Sequence, residues 1–337
     1  MKRILPRLCC TPLACAAVAC AATLMLSPLS VHGQGWKPER PVEIVVGSTP
    51  GGGLDRTARL MQRVVQEHRL IDQQAVVLNK PGGAGAVALA YLAQHPGDGH
   101  HVMVSGQALL TNHIMGRSTL HYTGFTALAL LAVEAVSFSV RAESPVKDAR
   151  ELIERLRKEP GALSVAIGTG VGSATQTSFA HAMFAAGIDV KKMRQVTFGS
   201  GGESMTALLG GHIDAISSPV SSVIGQLRAG RVRVLAVGAQ RRLSGELSDV
   251  PTWNELGVKS AIDVWRALVG PKGLNPAQIA FWDGVAARIV KDAEWQKELE
   301  RSLSGQGYKD SAATLRHWQT EYEEMKALYT TLGLAKQ

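Results

Sequence analysis

Residues 42–55 read VEIVVGSTPGGGLD, and this stretch decides the fold. The run from Val42 to Gly47 is apolar and rich in β-branched residues, which is typical of a strand buried on both faces. Apolar residues at positions 54, 58, 61 and 65 follow at helical spacing. The stretch therefore predicts a strand, a glycine-rich turn and the start of a helix, which is the repeating unit of an α/β fold.

The same alternation of short β-rich runs and helical stretches continues along the chain. Strands alternating with helices predict parallel sheets covered by helices on both faces, with ligands at the carboxyl ends of the strands. A helix is predicted from Ala86 to Gln94. The further predicted strands are Ala75 to Asn79, His101 to Gly106, Ser164 to Gly168, Val196 to Phe198, Ile213 to Ser217 and Val232 to Gly238.

Two extended apolar segments predict a pair of crossovers between two lobes. They run from Ala127 to Ala142 and from Ala261 to Val269. The charged, amphipathic helices from Pro276 to Leu332 would then complete the first lobe. Their aromatic and apolar anchors are expected in the core rather than in a site, and these are Trp282, Trp295, Leu299, Leu303, Trp318 and Tyr322.

The first thirty-three residues predict a secretory signal peptide. Lys2, Arg3 and Arg7 form a positive start, an apolar run follows, and Val31-His32-Gly33 offers a cleavage site before Gln34. An uncleaved membrane anchor and a lipoprotein modified at Cys20 are the alternatives. Prolines in the apolar run, and apolar sequence continuing beyond Cys20, favour the cleaved peptide.

The positions of the cysteines and the net charge argue against several classes of function. All four cysteines lie inside the predicted leader, so the mature chain would have no thiol nucleophile and no thiolate metal site. Removing three positive charges from a net +8 leaves +5, which suits an anionic ligand or mere solubility. The positive residues are scattered without interleaved aromatics, which argues against nucleic acid.

Three glycine-rich loops follow predicted strands and open helices, at residues 48–55, 168–175 and 198–203. Such loops expose backbone N–H groups at the positive end of a helix, which suits an anion. The first lacks the lysine of a nucleotide-binding P-loop, and in the second Ser173 replaces the third glycine of a dinucleotide fingerprint. A purely structural role for the glycines is the alternative.

No catalytic constellation stands in these loops. There is no GxSxG and no HExxH, and His100-His101 is predicted to be a solvated strand edge rather than a metal pair. Asp55 and Glu203 stand at helix starts, where capping explains them. We therefore expect no enzyme activity, no cofactor and no metal.

The chain resembles the periplasmic receptors of tripartite tricarboxylate transporters, the Bug-type solute-binding proteins. The segments that carry the resemblance occur in one collinear order along the chain. The matching segments are residues 37–42 (KPERPV), 50–55 (PGGGLD), 79–85 (NKPGGAG), 208–214 (LLGGHID), 233–237 (RVLAV) and 249–252 (DVPT). The resemblance covers essentially the whole mature chain. It implies a type II periplasmic-binding-protein fold, in which two lobes, each a central sheet flanked by helices, are joined by two crossover segments.

The resemblance also implies domain bounds and a site. Lobe 1 would comprise residues 34–135 and 264–337, and lobe 2 residues 136–263. One carboxylate would be gripped by the loop after the first strand, with contacts from the loops of lobe 2. The ligand-binding candidates are Thr49, Gly51, Gly52, Gly53, Leu54, Asp55, Ser105, Gly106, Thr169, Gly170, Gly172, Ser173, Thr175, Gly199, Ser200, Gly201, Ser218 and Arg266.

Several details are similar to the tricarboxylate (citrate-type) branch, namely Leu54, the run Gly201-Gly202-Glu203, and Trp265-Arg266. Arg266 could enter the cleft as a bidentate carboxylate partner or remain a surface charge. The chain has Phe198-Gly199 where the broader family often has Tyr-Lys, and Ser218 where it has Asp. Loss of that acidic group favours a more anionic ligand.

The expected function is capture of a small carboxylate, citrate-like di- or tricarboxylates first, by a monomeric periplasmic receptor. The loaded receptor would deliver the ligand to the membrane permease subunits of the transporter. A ligand-sensing receptor for a signalling partner is one alternative. A secreted enzyme that acts on carboxylates is the other.

Overall fold

The computed structural model describes residues 35–168 and 172–336. The predicted signal peptide lies outside these residues, and so do Thr169 and Gly170 of the predicted site. Among the described residues, no helix is both long enough and apolar enough to cross a membrane.

The described residues contain two five-stranded sheets. Sheet A has the order β2-β1-β3-β10-β4, and sheet B has the order β7-β6-β8-β5-β9. The strands are β1 Val42–Val46, β2 Ala75–Asn79, β3 His101–Ser105, β4 Phe125–Glu134, β5 Val136–Arg141, β6 Ser164–Ala166, β7 Arg194–Val196, β8 Ala215–Pro219, β9 Val232–Gly238 and β10 Val264–Pro271.

Helices follow most of these strands and cover both sheets. They are α1 Gly53–Glu67, α2 Ala86–Leu92, α3 Ala108–Ile114, α4 Ala149–Lys158, α5 Ala174–Ala185, α6 Gly201–Leu209, α7 Val220–Arg228, α8 Pro276–Ile289, α9 Ala293–Ser302 and α10 Ser311–Thr331. Short 3-10 turns at Gly83–Gly85, Tyr122–Gly124, Val190–Lys192 and Gly245–Leu247 complete the connections.

The sheets are mixed, whereas the sequence predicts parallel sheets. β1 pairs in parallel with β2 and β3, and β6 pairs in parallel with β7 and β8. β10 runs antiparallel to both β3 and β4, and β5 runs antiparallel to both β8 and β9. The reason is that β5 and β10 are the strands by which the chain enters each sheet from the other one, so they arrive from the opposite direction.

The two crossovers leave and re-enter sheet A side by side. β4 passes through Ala135 directly into β5 of sheet B, and residues 239–263 return the chain from β9 to β10. At this point Val264 is paired with Glu134, so the incoming and outgoing strands meet at the junction between the sheets. This confirms the predicted two-sheet architecture with two crossovers.

Alternate residues of β1 face two different hydrophobic clusters, as the period of two in a strand requires. Val42, Ile44 and Val46 pack with α1, α8 and α9, whereas Val45 packs with α2, α3 and α10. Sheet B is covered in the same way, by α4 and α5 on one face and by α6 and α7 on the other. Both sheets are therefore buried on both faces.

The C-terminal aromatics lie in the core, as predicted. Trp282 and Trp295 are buried on one face of sheet A, and Trp318 and Tyr322 are buried on the other. Leu299 is also buried, whereas Leu303 is half-buried at the end of α9 against a cluster of sheet B. These helices fix the position of sheet A and leave the carboxyl ends of β1 and β3 open toward sheet B.

Candidate functional site

A cavity of about 110 Å³ lies where the carboxyl ends of the parallel strands of both sheets face each other. Glycines and small hydroxyl residues dominate its lining, together with one indole, one guanidinium, one amide and a few apolar side chains. The lining includes Ser48, Gly52, Gly53, Leu54, Gly85, Ser105, Gly106, Gln107, Ser173, Thr175, Ser200, Gly201, Ser204, Ser217, Ser218, Ser222, Trp265 and Arg266. The position is the one that open α/β sheets use for ligands.

The loop after β1 forms one wall. Gly52 precedes α1 as its N-cap residue and has no side chain to cap the helix, so the first N–H groups of α1 are unsatisfied by a side-chain cap. Gly51 has a φ of +80°, a conformation that favours glycine, and this turn directs the backbone of the loop toward the cavity. The loop therefore presents backbone donors rather than side chains.

Asp55 holds this loop from behind instead of capping α1, which corrects the prediction that it is a helix cap. Its carboxylate accepts hydrogen bonds from Gly51 N (2.9 Å), Arg59 Nε (2.9 Å) and Asn79 Nδ2 (2.9 Å). Burial raises the pKa of Asp55, but the bonds from Arg59, Gly51 and Asn79 outweigh burial and lower the pKa below its ordinary value. Asp55 is buried and does not line the cavity.

Arg266 enters the cavity from β10. Its guanidinium is buried and donates to Glu134 Oε2 at 2.7 Å, and Glu134 Oε1 accepts from the backbone N of Ser221 at 2.6 Å. A Cβ on Gly53 would lie 2.7 Å from Arg266 Nη2, so a side chain at this position would displace the guanidinium. Of the two alternatives for Arg266, a surface charge is therefore wrong.

The side of sheet B contributes two helix starts with serine caps. Ser173 caps α5, and Ser200 caps α6 by accepting from Glu203 N at 3.3 Å. The hydroxyls of Ser173 and Thr175 both donate to the carbonyl of Ile167, at 2.9 and 3.0 Å. These two hydroxyls therefore fix the loop and offer a ligand lone pairs rather than protons.

Thr49 and Glu203 connect the first loop to sheet B. Thr49 Oγ1 donates to Glu203 Oε1 at 2.9 Å, and the other carboxylate oxygen of Glu203 accepts from Gly199 N at 2.9 Å. Thr49 N also contacts Gly199 O at 3.4 Å. Thr49 and Gly199 thus lie at the rim, where they join the two sides of the cavity.

Three polar atoms of the lining have no partner among the residues that the structure describes. They are the hydroxyls of Ser48 and Ser218 and the side-chain carbonyl oxygen of Gln107, all of them buried. A buried polar atom without a hydrogen bond costs free energy, on the order of 1–3 kcal/mol. Such atoms point to a bound polar molecule or water in this cavity.

Arg266 is the one charged side chain in the cavity lining formed by residues 35–168 and 172–336. In addition, α1, α5, α6 and α7, each of at least nine residues, all begin at the cavity. Their positive ends face the same space, so the electrostatic potential there favours an anion.

The predicted site residues divide into three groups. Those in the lining are Gly52, Gly53, Leu54, Ser105, Gly106, Ser173, Thr175, Ser200, Gly201, Ser218 and Arg266. Those that lie beside it are Thr49, Gly51, Asp55, Gly172 and Gly199. Thr169 and Gly170 fall outside the described residues.

Sequence reasoning missed several lining residues. Ser48 is adjacent to the predicted Thr49 and lies one residue closer to the end of β1. This position in the loop could have identified it as a lining residue. Gln107 follows Gly106 in the same way, and Trp265 precedes Arg266. Ser204, Ser217 and Ser222 are brought in by α6, β8 and α7, and no local motif marks them.

A buried carboxylate behind the cavity holds the tryptophan and glutamine of its far wall. Glu321 of α10 accepts from Trp265 Nε1 and, at 3.0 Å, from Gln107 Nε2. The pKa of the nearby Asp263 is raised by burial and by the negative charge of Glu321. The indole and amide that face the cavity are therefore fixed in place by one buried carboxylate.

His100-His101 is not the solvated strand edge that the sequence predicts. His101 is buried, its Nδ1 contacts Asp98 at 2.8 Å, and its ring stacks on His95 at 3.7 Å between centroids. His95, Asp98 and His101 place potential ligand atoms within 4.8 Å of one another, so these residues could hold a metal ion. The group lies at the amino end of β3, away from the cavity.

Comparison with known proteins gives the family. Residues 58–334 match the model of the "Tripartite tricarboxylate transporter family receptor". The chain is 30% identical over 240 residues to the "UPF0065 protein in tcbD-tcbE intergenic region" of Pseudomonas sp. (strain P51), covering 70% of this chain and 69% of that one.

Solved structures agree with the fold. A Rhodopseudomonas palustris protein with adipate is 25% identical, with a TM-score of 0.80 over 88% of this chain and 99% of that one. MatC from Rhodopseudomonas palustris, with bound malate, is 23% identical, with a TM-score of 0.79 over 86% of this chain and 99% of that one. With the two-lobed α/β fold and the matched family model, the chain belongs to the tripartite tricarboxylate transporter receptor family, whose members are periplasmic solute-binding proteins.

Proposed function

We propose that this receptor captures a small carboxylate in the cavity between its two sheets and delivers it to the membrane subunits of a tripartite tricarboxylate transporter. A citrate-like di- or tricarboxylate is favoured. One observation carries the proposal, namely a cavity whose lone charged lining residue in the described chain is Arg266 and at which four helices begin. Such a cavity stabilises negative charge without a catalytic group.

The geometry suggests how each end of the ligand is held. One carboxylate accepts from the backbone N–H of Gly53 and from the free hydroxyl of Ser48, while the N–H of Gly52 donates to Thr49 O within the loop. On the opposite side, the free hydroxyl of Ser218 and the N-terminus of α6 contact the rest of the molecule. Arg266 lies between these walls and supplies the guanidinium that carboxylates pair with in a bidentate manner.

Binding rather than turnover is favoured by the state of the hydroxyls. Ser173 and Thr175 give their protons to a backbone carbonyl, and Ser204 gives its proton to Ser200 O at 3.0 Å. None of the lining residues within the described ranges is a histidine or a carboxylate that could activate a serine. We therefore propose a receptor and not an enzyme.

The proposal also covers the export, the oligomeric state and the lobe bounds of the protein. Residues 1–33 are an export leader removed before Gln34, and the mature monomer works in the periplasm. Lobe 1 comprises residues 34–135 and 264–337, and lobe 2 comprises residues 136–263. The membership of β1–β4 and β10 in sheet A, and of β5–β9 in sheet B, supports these bounds.

A thermal-shift screen of the mature protein, unfolded and refolded to remove carried ligand, tests the proposal. The panel contains mono-, di- and tricarboxylates, with amino acids and sugars as the comparison set. A ligand at a hundredfold excess over its Kd adds about 2.7 kcal/mol of stability, which gives a visible rise in Tm. A rise only with sugars, or only with zwitterionic amino acids, contradicts the proposal, and conversion of the acid by the pure protein would revive the enzyme alternative.

A double variant that neutralises both Arg266 and its partner Glu134 tests the role of Arg266. Removing Arg266 alone would leave Glu134 buried without its partner and would destabilise the fold. The double variant Glu134→Gln/Arg266→Gln removes both charges together, and Glu255→Gln/Arg242→Gln does the same to an exposed pair. We expect the first double variant to lose at least tenfold in carboxylate affinity by calorimetry, and the second to bind as the wild type does.

A further inference from the structure

A second cavity, of about 230 Å³, lies beyond Arg266 and is larger than the first. It is bounded by α1, α9, the end of β4 and the start of α7, so residues of both lobes form it. Five arginines line it, namely Arg56, Arg59, Arg63, Arg266 and Arg301. The carboxylate proposed for the first cavity does not occupy this space.

Four of these arginines have a carboxylate partner. Arg59 pairs with Asp55, Arg63 with Glu294, Arg301 with Glu298 and Arg266 with Glu134, at 2.6 to 3.2 Å. These pairs balance the charge of four guanidiniums, and a surplus of positive charge remains only if the fifth arginine has no such partner.

Arg56 is that fifth arginine. Within the described residues, no carboxylate lies in ion-pair distance of its guanidinium, which donates to Gly51 O at 2.9 Å and contacts Ser221 Oγ and Ser222 Oγ at 3.4 Å. Burial lowers the pKa of Arg56, and the like charge of Arg266 lowers it further, although the charges of Glu134 and Glu298 oppose this. Both of these carboxylates already pair with other arginines, so five guanidiniums face four carboxylate partners and one positive charge is uncompensated.

A separate observation points to the same missing acceptor. Trp295 is buried and lines both this cavity and a neighbouring one beside Val290, and its indole N–H has no hydrogen-bond partner among the residues that the structure describes. An indole nitrogen can only donate, so it lacks an acceptor. An uncompensated guanidinium and an orphaned donor beside the same cavity fit an anion with several oxygen acceptors.

We propose that this second cavity binds a small multivalent oxyanion of the size of phosphate or sulfate. Arg56 supplies the charge, and the N–H of Trp295 and the hydroxyl of Ser221 supply further donors. Guanidinium groups recognise tetrahedral oxyanions through paired N–H donors. Because Arg56 belongs to α1 and Ser221 to α7, the bound anion contacts both lobes next to the crossover strands.

Calorimetric titration of the mature, refolded protein with inorganic phosphate in a buffer free of other oxyanions tests this proposal. We expect one site in the wild type and at least tenfold weaker binding in Arg56→Gln. The control is Arg242→Gln, which removes the same charge from an exposed pair with Glu255 and should leave phosphate binding unchanged. Equal phosphate affinity in the wild type and Arg56→Gln, or no phosphate binding by the wild type, overturns the proposal.

Two further measurements test anion binding in the second cavity independently of Arg56→Gln. Trp295→Phe retains a ring but removes the N–H, and it should weaken phosphate binding about threefold to tenfold even if Arg56→Gln does not fold. A crystal soaked in selenate should show its anomalous peak between Arg56 and Ser221, and a peak only in the first cavity overturns the assignment. The carboxylate screen on the same variants reads the first cavity separately, so failure of one proposal is distinguishable from failure of the other.

Discussion

Gly53 is the residue on which the geometry of the first cavity depends most directly. It opens α1, and its missing side chain leaves room for the Arg266 guanidinium, which is held there by Glu134. The sequence shows only a run of three glycines. The structure gives the third of them a steric reason that is independent of backbone conformation.

Gly53→Ala is expected to displace the guanidinium and to strain its bond with Glu134. Overpacking of this kind costs about 1–3 kcal/mol. We therefore expect a lower Tm and weaker carboxylate binding, measured by thermal unfolding with and without the acid found in the screen. An unchanged Tm together with unchanged affinity contradicts the close packing of Arg266 on Gly53.

Gly284→Ala provides the matched control, because Gly284 is an exposed helical glycine of α8 and an added Cβ would have no neighbour within 4 Å. Alanine at such a position stabilises a helix by about 0.4–1 kcal/mol. The two glycine substitutions should consequently change Tm in opposite directions.

Among the elements, the loop after β1 and the start of α6 are joined across the cavity by Thr49 and Glu203. The bond is charge-assisted, but both residues are accessible to solvent, so its contribution is modest. Because it joins the two sides of the cavity, it stabilises the arrangement in which they meet rather than either side alone.

Thr49→Val is expected to weaken carboxylate binding twofold to tenfold while Tm without ligand changes little, because only the contact between the two sides is lost. Calorimetry with the acid from the screen measures this. The control is Thr206→Val, which removes an exposed hydroxyl bonded within α6 to Gly202 O. Equal affinities for both variants would show that the Thr49 bond has no part in binding.

The segment before β3 depends on Asp98, which contacts Arg40, His100 and His101. Burial raises the pKa of Asp98, but the hydrogen bonds from His100 and the charges of His101 and Arg40 outweigh burial and hold the pKa at about 2. A carboxyl with a lowered pKa stabilises the fold above its ordinary pKa of 3.8, and the stabilisation is lost as the pH falls toward 2.

Asp98→Asn is therefore expected to be less stable than the wild type at pH 6, and the difference should shrink as the pH falls from 4 to 2.5. Urea unfolding at these pH values measures both proteins, with Asp249→Asn as an exposed control. A difference in unfolding free energy that stays constant with pH contradicts the lowered pKa of Asp98.

For the whole molecule, the sequence predicts what depends on local pattern. The strand–glycine–helix units, the two crossovers and the amphipathic C-terminal helices are all visible as runs and periods, so the two-sheet architecture could be predicted. The antiparallel direction of β5 and β10 could not, because a strand's direction is set by where the chain enters the sheet. The bounds of β7 and β8 differ from the predicted bounds by two residues, because no local sequence pattern marks the ends of these strands.

The candidate site was predictable to a smaller extent. Its glycine loops and serine caps are local motifs, and most of them line the cavity. The pair of Arg266 with Glu134 joins residues 132 positions apart, and the second cavity joins α1, α7 and α9. Such contacts arise from packing, which no single stretch of sequence contains.

A crystal structure of the mature protein with the acid from the screen would show whether a carboxylate is held between the two sheets. We expect density for the acid in the first cavity, with one carboxylate at the loop of Ser48 and Gly53 and within hydrogen-bond distance of Arg266. The variant Glu134→Gln/Arg266→Gln under the same conditions should show weaker density there. An acid bound outside this cavity, or bound in it without contact to the loop after β1, would refute binding between the sheets as proposed.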